Sequence, residues 1–309
     1  MKHFINLEDI SSLNLRKILQ DAKKRKKSRI KLNNLDVDED APLKGKFLIQ
    51  MFEKSSLRTR LSFYLAIKQL GGSTLTLRPD ELHLSKGGES IEDTAKILSN
   101  FGNAFMLRTD SDKKLEEFKK FLSIPIINGL SPSSHPTQIL SDVFTVEEIK
   151  KKEISKLNIC WIGDSNNVLN SLVAASIKFQ FKLNIGCPKK YQPGKKIRHF
   201  IDKNKNKISI YDNSLKAAVN ADVIFSDKVI SLNDRVNEKQ KLNHFKKFKI
   251  NKKLMSVAKK DCIFLHCLPR GSEVEDEVFK SKKSKVWQQA SNRIHVQKSI
   301  LLYCFGKLR

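Results

Sequence analysis

Phe47-Leu48-Ile49-Gln50-Met51-Phe52 is followed, after Glu53-Lys54-Ser55, by Ser56-Leu57-Arg58-Thr59, then by Leu61–Leu70 with apolar residues at helical spacing, and finally by Gly71-Gly72. The first run is apolar and of strand length, and a glycine pair suits the end of a helix. The stretch therefore reads as strand, turn, helix. The same unit recurs in Ala104-Phe105-Met106-Leu107, Ile124–Ile127, Leu157–Ile162 with a helix over Val168–Phe179, Leu183–Ile185, Ile208–Tyr211, Val223–Phe225 and Cys262–His266. Short apolar strands alternating with helices predict parallel sheets covered on both faces, hence an α/β fold. A chain of 309 residues exceeds the usual span of one core, so two domains are expected. The charged segment Glu147–Ser155 marks the boundary between them, giving domains over 1–146 and 147–290. A last helical segment, Asn292–Leu302, either docks on one domain or crosses to the other.

With 39% hydrophobic and 30% charged residues, the composition excludes wholesale disorder and disulfide-scaffold classes. Apolar stretches such as Cys262–Leu265 and Ile300–Phe305 are too short to span a bilayer, and the first residues lack a secretory signal pattern, so a cytoplasmic protein without a membrane partner is expected. Five cysteines, Cys160, Cys187, Cys262, Cys267 and Cys304, form no C-x-x-C pair, which argues against a disulfide framework or a zinc ribbon. The net charge of +26 raises the question of nucleic acid. Only 12 of the 59 cations are arginine, and the lysines are scattered, which favours a solvated lysine-rich surface over nucleic-acid binding. The run Lys23-Lys24-Arg25-Lys26-Lys27 follows an amphipathic segment, Leu13–Ala22, where cations complement a helix C-terminus.

Ser56, Arg58 and Thr59 stand where a buried strand gives way to a helix, the place where free backbone N–H groups attract an anion. Arginine's planar fork can hold two phosphate oxygens at once. Ser and Thr also cap helices routinely, so these residues alone leave capping and anion binding both open.

Beyond this stretch, Phe52–Phe63, Glu89–Ala95, Met106-Leu107-Arg108, His135-Pro136-Thr137-Gln138, Trp161–Asn167, His266-Cys267-Leu268-Pro269 and Asn292-Arg293 follow one another in the order found in a known family. The chain resembles the aspartate/ornithine carbamoyltransferases over almost its whole length. The resemblance implies a carbamoyl phosphate-binding domain over 1–146, an ornithine-binding domain over 147–290, and a C-terminal helix over 291–309 packing back on the first domain. It implies that Ser56, Leu57 (through its backbone N–H), Arg58 and Thr59 cradle the phosphate, with His83, whose loop reaches into a neighbouring subunit's site in this family. Arg108, His135, Gln138 and Arg293 would surround the carbamoyl group, with Cys267 and Leu268 beside them. Asn167, Asp227, Ser231 and Leu232 would hold the acceptor, and Arg58, Arg108, His135 and Cys267 would carry the catalysis. A homotrimer with active sites at subunit interfaces follows from the same likeness.

The implied chemistry is attack of the side-chain amine of L-ornithine on the carbamoyl carbon of carbamoyl phosphate, giving citrulline and phosphate for arginine biosynthesis. Orientation and charge stabilisation suffice for it, so neither cofactor nor metal is expected. Cys267 favours ornithine over aspartate as acceptor. The pattern departs from the family at Leu57, at Tyr64 and Ser291 where acidic residues are usual, and in Asp227-Lys228-Val229-Ile230-Ser231-Leu232-Asn233, where tryptophan and glycine are replaced. Those changes keep an N-acetylated ornithine or a diamine in view as alternative acceptors, beside a catalytically silent, basic nucleic-acid-binding relative.

Overall fold

Buried strands alternate with helices throughout the computed structural model, which describes residues 1–78, 88–230 and 237–308. Packing of the backbone separates Met1–Phe144 together with Ala290–Arg309 from Thr145–Gln289. The first unit contains α1 (Ser12–Ser28), β1 (Phe47–Phe52), α2 (Leu57–Gln69), β2 (Ser73–Leu77), α3 (Ile91–Phe101), β3 (Ala104–Arg108), α4 (Asp112–Phe121) and β4 (Ile126–Leu130), and α5 (Pro136–Lys150) begins there. Its four strands are all parallel, in the order β2-β1-β3-β4. The chain leaves β1 for one neighbour, β2, and later enters its other neighbour, β3. That reversal makes a switch point, and in open parallel sheets ligands bind outside the carboxyl ends of the strands flanking it.

The second unit holds β5 (Asn158–Ile162), α6 (Asn167–Phe179), β6 (Lys182–Gly186), α7 (Lys195–Asp202), β7 (Ile208–Tyr211), α8 (Ser214–Ala218), β8 (Val223–Asp227), α9 (Glu238–Phe245), α10 (Lys252–Val257), β9 (Ile263–Cys267) and α11 (Asp276–Phe279). Its five parallel strands run in the order β7-β6-β5-β8-β9, with a switch point between β5 and β8. Apolar residues fill both cores: Phe105, Phe118 and Leu107 lie in the first, Ile224, Phe264 and Ile162 in the second. The last helix, α12 (Val286–Cys304), contributes its larger part to the first unit, so the α/β fold is as expected from the sequence and the C-terminal helix packs back on the first sheet unit as the family resemblance implies.

Local boundaries differ from the sequence reading in three places. The lysine run lies inside α1, which continues to Ser28 because Ser11 caps its start and Asp21 pairs with Arg25 one turn later at 3.2 Å. The short alternating segment Ser73–Leu77 is an additional strand, an edge with half-exposed residues and therefore a weak hydrophobic signal. Helix α12 starts at Val286 rather than Asn292, which moves Arg293 from a helix start into a helix interior.

Polar contacts lock α12 onto α1 and the segment after it. Lys298, wholly buried, donates to Asp38 Oδ1 at 2.7 Å and to Gln69 Oε1 at 3.2 Å. Asp38 also takes Arg29 at 2.7 Å and Arg25 at 3.0 Å. Ser299 donates to Asp21 at 2.6 Å, and Lys26 to Asn292 at 2.7 Å. Burial lowers the Lys298 ammonium to about 8 against the pull of Asp38, while Lys298, Arg29 and Arg25 hold the Asp38 carboxyl below its ordinary range despite its own burial. Removing Asp38 strands the wholly buried Lys298 ammonium without a carboxylate, at a cost of about 3–5 kcal/mol, whereas removing Lys298 leaves Asp38 still paired with Arg29 and Arg25. Asp38→Leu should therefore lower the free energy of unfolding by about that amount in chemical denaturation, Lys298→Met should cost less, and adding Lys298→Met to Asp38→Leu should recover part of the loss.

Candidate active site

Helix α2 starts directly after Ser56, which occupies the N-cap position in extended conformation. Its hydroxyl makes no capping bond. Instead it accepts a hydrogen bond from Arg108 Nη1 at 3.1 Å. Thr59, buried one turn into α2, accepts from Arg293 Nη2 at 2.8 Å and stands 3.5 Å from Arg108 Nη1. Arg293 donates with its other terminal nitrogen to Gln138 Oε1 at 2.8 Å, and Gln138 Nε2 donates to Asp142 at 2.8 Å. Ser56, Thr59, Arg108, Gln138 and Arg293, separated by up to 237 positions along the chain, thus form one connected set. Arg58 is half-buried in the first turn of α2, and the backbone of Leu57 opens that helix with its side chain exposed.

Arg108 owes its direction to an irregularity in the sheet. The register between β3 and β4 shifts between Leu107 and Arg108, where Gly129 is the extra residue. A side chain at Gly129 would meet Met106 Sδ and force that flexible side chain to shift, and bulges re-aim neighbouring side chains. His135 precedes α5 and is 2% exposed. Burial, and after it the positive charges of Arg293, Arg108 and Arg58, push its imidazole well below the usual range. At neutral pH it is uncharged and can donate one hydrogen bond without adding a cation. The turn before it is fixed by Asn128, whose amide donates to Ser134 Oγ at 2.9 Å and to the Ile5 carbonyl at 3.1 Å.

In the second unit, Asp227 ends β8 directly across the ladder from Cys267, which ends β9. Asn166 Nδ2 donates to Asp227 Oδ2 at 2.7 Å, while the Asn166 carbonyl oxygen caps α6 through the N–H groups of Val168 and Leu169. Asn167, the residue assigned from the sequence, is half-buried in the first turn of α6; its neighbour Asn166 makes the contact with Asp227. Burial raises the Asp227 carboxyl above its ordinary range, opposed by His266, the Lys228 N–H and Asn166. His266, buried beside Cys267, meets Glu273 at 3.0 Å, and Glu273 also accepts from the Gly271 N–H at 2.5 Å. Burial would raise the Glu273 carboxyl, but those two hydrogen bonds bring it below the usual range. The sequence reading passed over Asn166, Glu273 and the role of His266 as their neighbour; nothing but the fold brings Glu273 back onto His266. Leu268 follows Cys267, half-buried, at a cis bond to Pro269. His83, Ser231 and Leu232 lie outside the described residues.

Cys160, Cys187, Cys262 and Cys304 are buried free thiols, and burial pushes that of Cys262 to about 12. Among the described residues no group of His, Cys, Asp and Glu is arranged to hold a metal ion. The polar groups gathered in the first unit are guanidiniums, hydroxyls, an amide and a neutral imidazole. Such groups suit the transfer of a group from an anionic donor.

The pattern described as aspartate/ornithine carbamoyltransferase, carbamoyl-P binding domain, matches residues 2–148, and that of the Asp/Orn binding domain matches residues 155–304. An ornithine carbamoyltransferase of Rhodopseudomonas palustris is 40% identical over 307 residues, covering 99% of this chain and 97% of the relative. One of Methanococcus aeolicus is 40% identical over 313 residues, covering 99% of this chain and all of the relative. The solved ornithine carbamoyltransferase of Pyrococcus furiosus superposes with a TM-score of 0.90 at 36% identity, over 97% of this chain and 96% of its own. The anabolic enzyme of Campylobacter jejuni gives 0.88 at 35% identity, over 99% of this chain and 100% of its own. The chain is an enzyme of carbamoyl transfer and belongs to the aspartate/ornithine carbamoyltransferase family.

The neutral state of His135 has a measurable consequence. Its folded pKa lies below the unfolded value of 6.5, so the unfolded chain takes up this proton first. The stability that neutrality supplies is present above about pH 6.5 and is lost as pH falls through the lower folded value. Imidazole nitrogen shifts in NMR should show His135 titrating well below the ordinary histidine range; a midpoint near the ordinary histidine value would contradict the electrostatic picture.

Proposed function

We propose that this protein transfers the carbamoyl group of carbamoyl phosphate to the side-chain amine of L-ornithine, releasing L-citrulline and phosphate in the direction of arginine synthesis. The observation that carries the reading is the convergence of Arg108 and Arg293 on Ser56, Thr59 and Gln138 beside a neutral, buried His135. It stands in a chain that aligns along its whole length with proteins named ornithine carbamoyltransferase.

In this reading Ser56, Thr59, Arg58 and the Leu57 N–H hold the phosphate, and His83 joins them from its loop. Arg108, His135, Gln138 and Arg293 direct donors at the carbamoyl oxygen, where negative charge grows as the amine adds to the carbon. Such donors are worth most when they are held in place before the charge develops. The intermediate then collapses, the bond from carbon to the phosphate oxygen breaks, and phosphate leaves as an anion held by Arg58. The attacking nitrogen must arrive without its extra proton and must shed another after attack. Cys267 and Leu268 flank that nitrogen, and Asp227 takes the acceptor's α-ammonium, with Asn167, Ser231 and Leu232 completing the acceptor contacts. A carboxyl raised by burial and contacted by the neutral Asn166 amide gains from an arriving cation, which supports this role for Asp227.

The protein works as a homotrimer with active sites at subunit interfaces. Leu57, Leu61 and Tyr64 recur on one exposed face of α2, and Leu75 is half-exposed on the edge strand β2; an apolar face of this kind is what an interface between copies covers. A cytoplasmic location agrees with the free cysteines and with the lack, among the described residues, of any helix long and apolar enough to cross a membrane. The surface cations are taken as solvent-exposed lysine rather than a nucleic-acid footprint.

Purified protein given carbamoyl phosphate and a panel of ornithine, N-acetylornithine, putrescine and aspartate should form product with ornithine at the highest kcat/KM. Absence of citrulline from a well-folded preparation rejects the proposal, and preference for another amine replaces its acceptor. Arg58→Lys keeps the charge but loses the planar fork, and should raise KM for carbamoyl phosphate by at least about tenfold. An unchanged KM removes Arg58 from the phosphate grip.

A further inference from the structure

Between the last residue of β1 and the grip stands Glu53, whose carboxylate is 9% exposed. It accepts from Thr109 Oγ1 at 2.5 Å and from the Asp110 N–H at 3.3 Å, and it pairs with the ammonium of Lys114 on α4. Its own N–H donates to the Arg108 carbonyl at 2.9 Å, extending the ladder in which Phe52 faces Arg108. The Thr109 N–H in turn reaches the Leu130 carbonyl at 3.0 Å, so the ends of β1, β3 and β4 are joined at this level. Thr109 directly follows Arg108, and Ser56 stands three residues after Glu53.

We infer that Glu53 is a positioning residue for carbamoyl phosphate, fastening the loop that carries Ser56 to the turn that follows Arg108 across the switch point of the first sheet. The inference rests on the donor assignment made above and concerns how that site is held. Adjacent strands of a twisted sheet diverge once their ladder stops, by about 20–25° from strand to strand. Past the Glu53 N–H bond to Arg108, no further strand pairing among the described residues fixes the gap between the two loops. The Glu53 carboxylate spans that gap with charge-assisted bonds, the stronger kind. It thereby sets where the Ser56 hydroxyl lies relative to the Arg108 guanidinium, now 3.1 Å apart. Lys114 has a second effect. By occupying one oxygen of Glu53 it keeps a carboxylate close to the grip from competing with an incoming phosphate for arginine, since a like-charged neighbour opposes anion binding.

The test uses the full-length protein. Calorimetric titration with inorganic phosphate, the reaction product, reads the grip without the acceptor; initial rates read KM for carbamoyl phosphate and for ornithine separately. Glu53→Gln should weaken phosphate binding about tenfold and raise KM for carbamoyl phosphate to match, with KM for ornithine unchanged. Lys114→Met should weaken phosphate binding severalfold, and the double variant should be no worse than Glu53→Gln, because both changes act on one coupled contact. Thr109→Val, which removes one hydroxyl donor only, serves if Glu53→Gln does not fold, and should show the same selectivity in smaller measure. Unaltered phosphate affinity in these variants, or equal losses for both substrates, overturns the inference in favour of a merely structural contact. A wild-type protein that binds phosphate yet makes no citrulline would refute the acceptor reading while leaving Glu53 still open to judgement by the titration.

Discussion

One buried carboxylate, Asp38, joins the two ends of the chain. It takes Lys298 from 260 residues away, together with Arg29 and Arg25, and so fixes α12 against α1. Charges out of water must be paired, and that requirement leaves α12 little freedom to slide or rotate. Arg293, little more than one turn before Lys298 on the same helix, is consequently held where it meets Thr59 and Gln138. The connected set of Thr59, Gln138 and Arg293 is thus assembled from segments far apart in the chain.

Both units use parallel sheets in the same way. In the first, the strands flanking the switch point end at Phe52 and Arg108, and the residues that follow or end them carry the guanidinium and hydroxyl groups. In the second, β5 leads into Asn166, β8 ends at Asp227 and β9 ends at Cys267, which brings amide, carboxylate and thiol to one edge. The electrostatics of the two differ. The first gathers cations and suppresses any charge on His135, as suits an anionic donor, whereas the second holds carboxylates in partly buried surroundings, as suits an amine.

Much of this was readable before any coordinates. The run Phe47–Phe52 and its counterparts have the length and continuity of strands buried on both faces, and the helices between them follow their apolar spacing. Ordered motifs pointed to Arg108, Gln138 and Arg293, which the fold brings into one connected set, and to His135, whose imidazole feels the charges of Arg293 and Arg108. Reading failed where the signal is weak or non-local. The edge strand Ser73–Leu77 buries little, so its pattern is faint. The start of α12 lacks an apolar onset near Asn292, whereas the lysine run read as a helix end does form the last turns of α1.

What the sequence determined by itself is the α/β class, the repeated strand and helix units, and the residue types that can grip an anion, because these depend on periodicity and on side-chain chemistry within a few positions. Only the tertiary structure decided that Ser56 turns its hydroxyl to Arg108 instead of capping α2, that Asn166 rather than Asn167 contacts Asp227, and that Glu53 reaches Thr109 and Lys114. Each of those choices is a competition between a local partner and one tens of residues away. Packing settles it, by fixing which strand ends stand side by side.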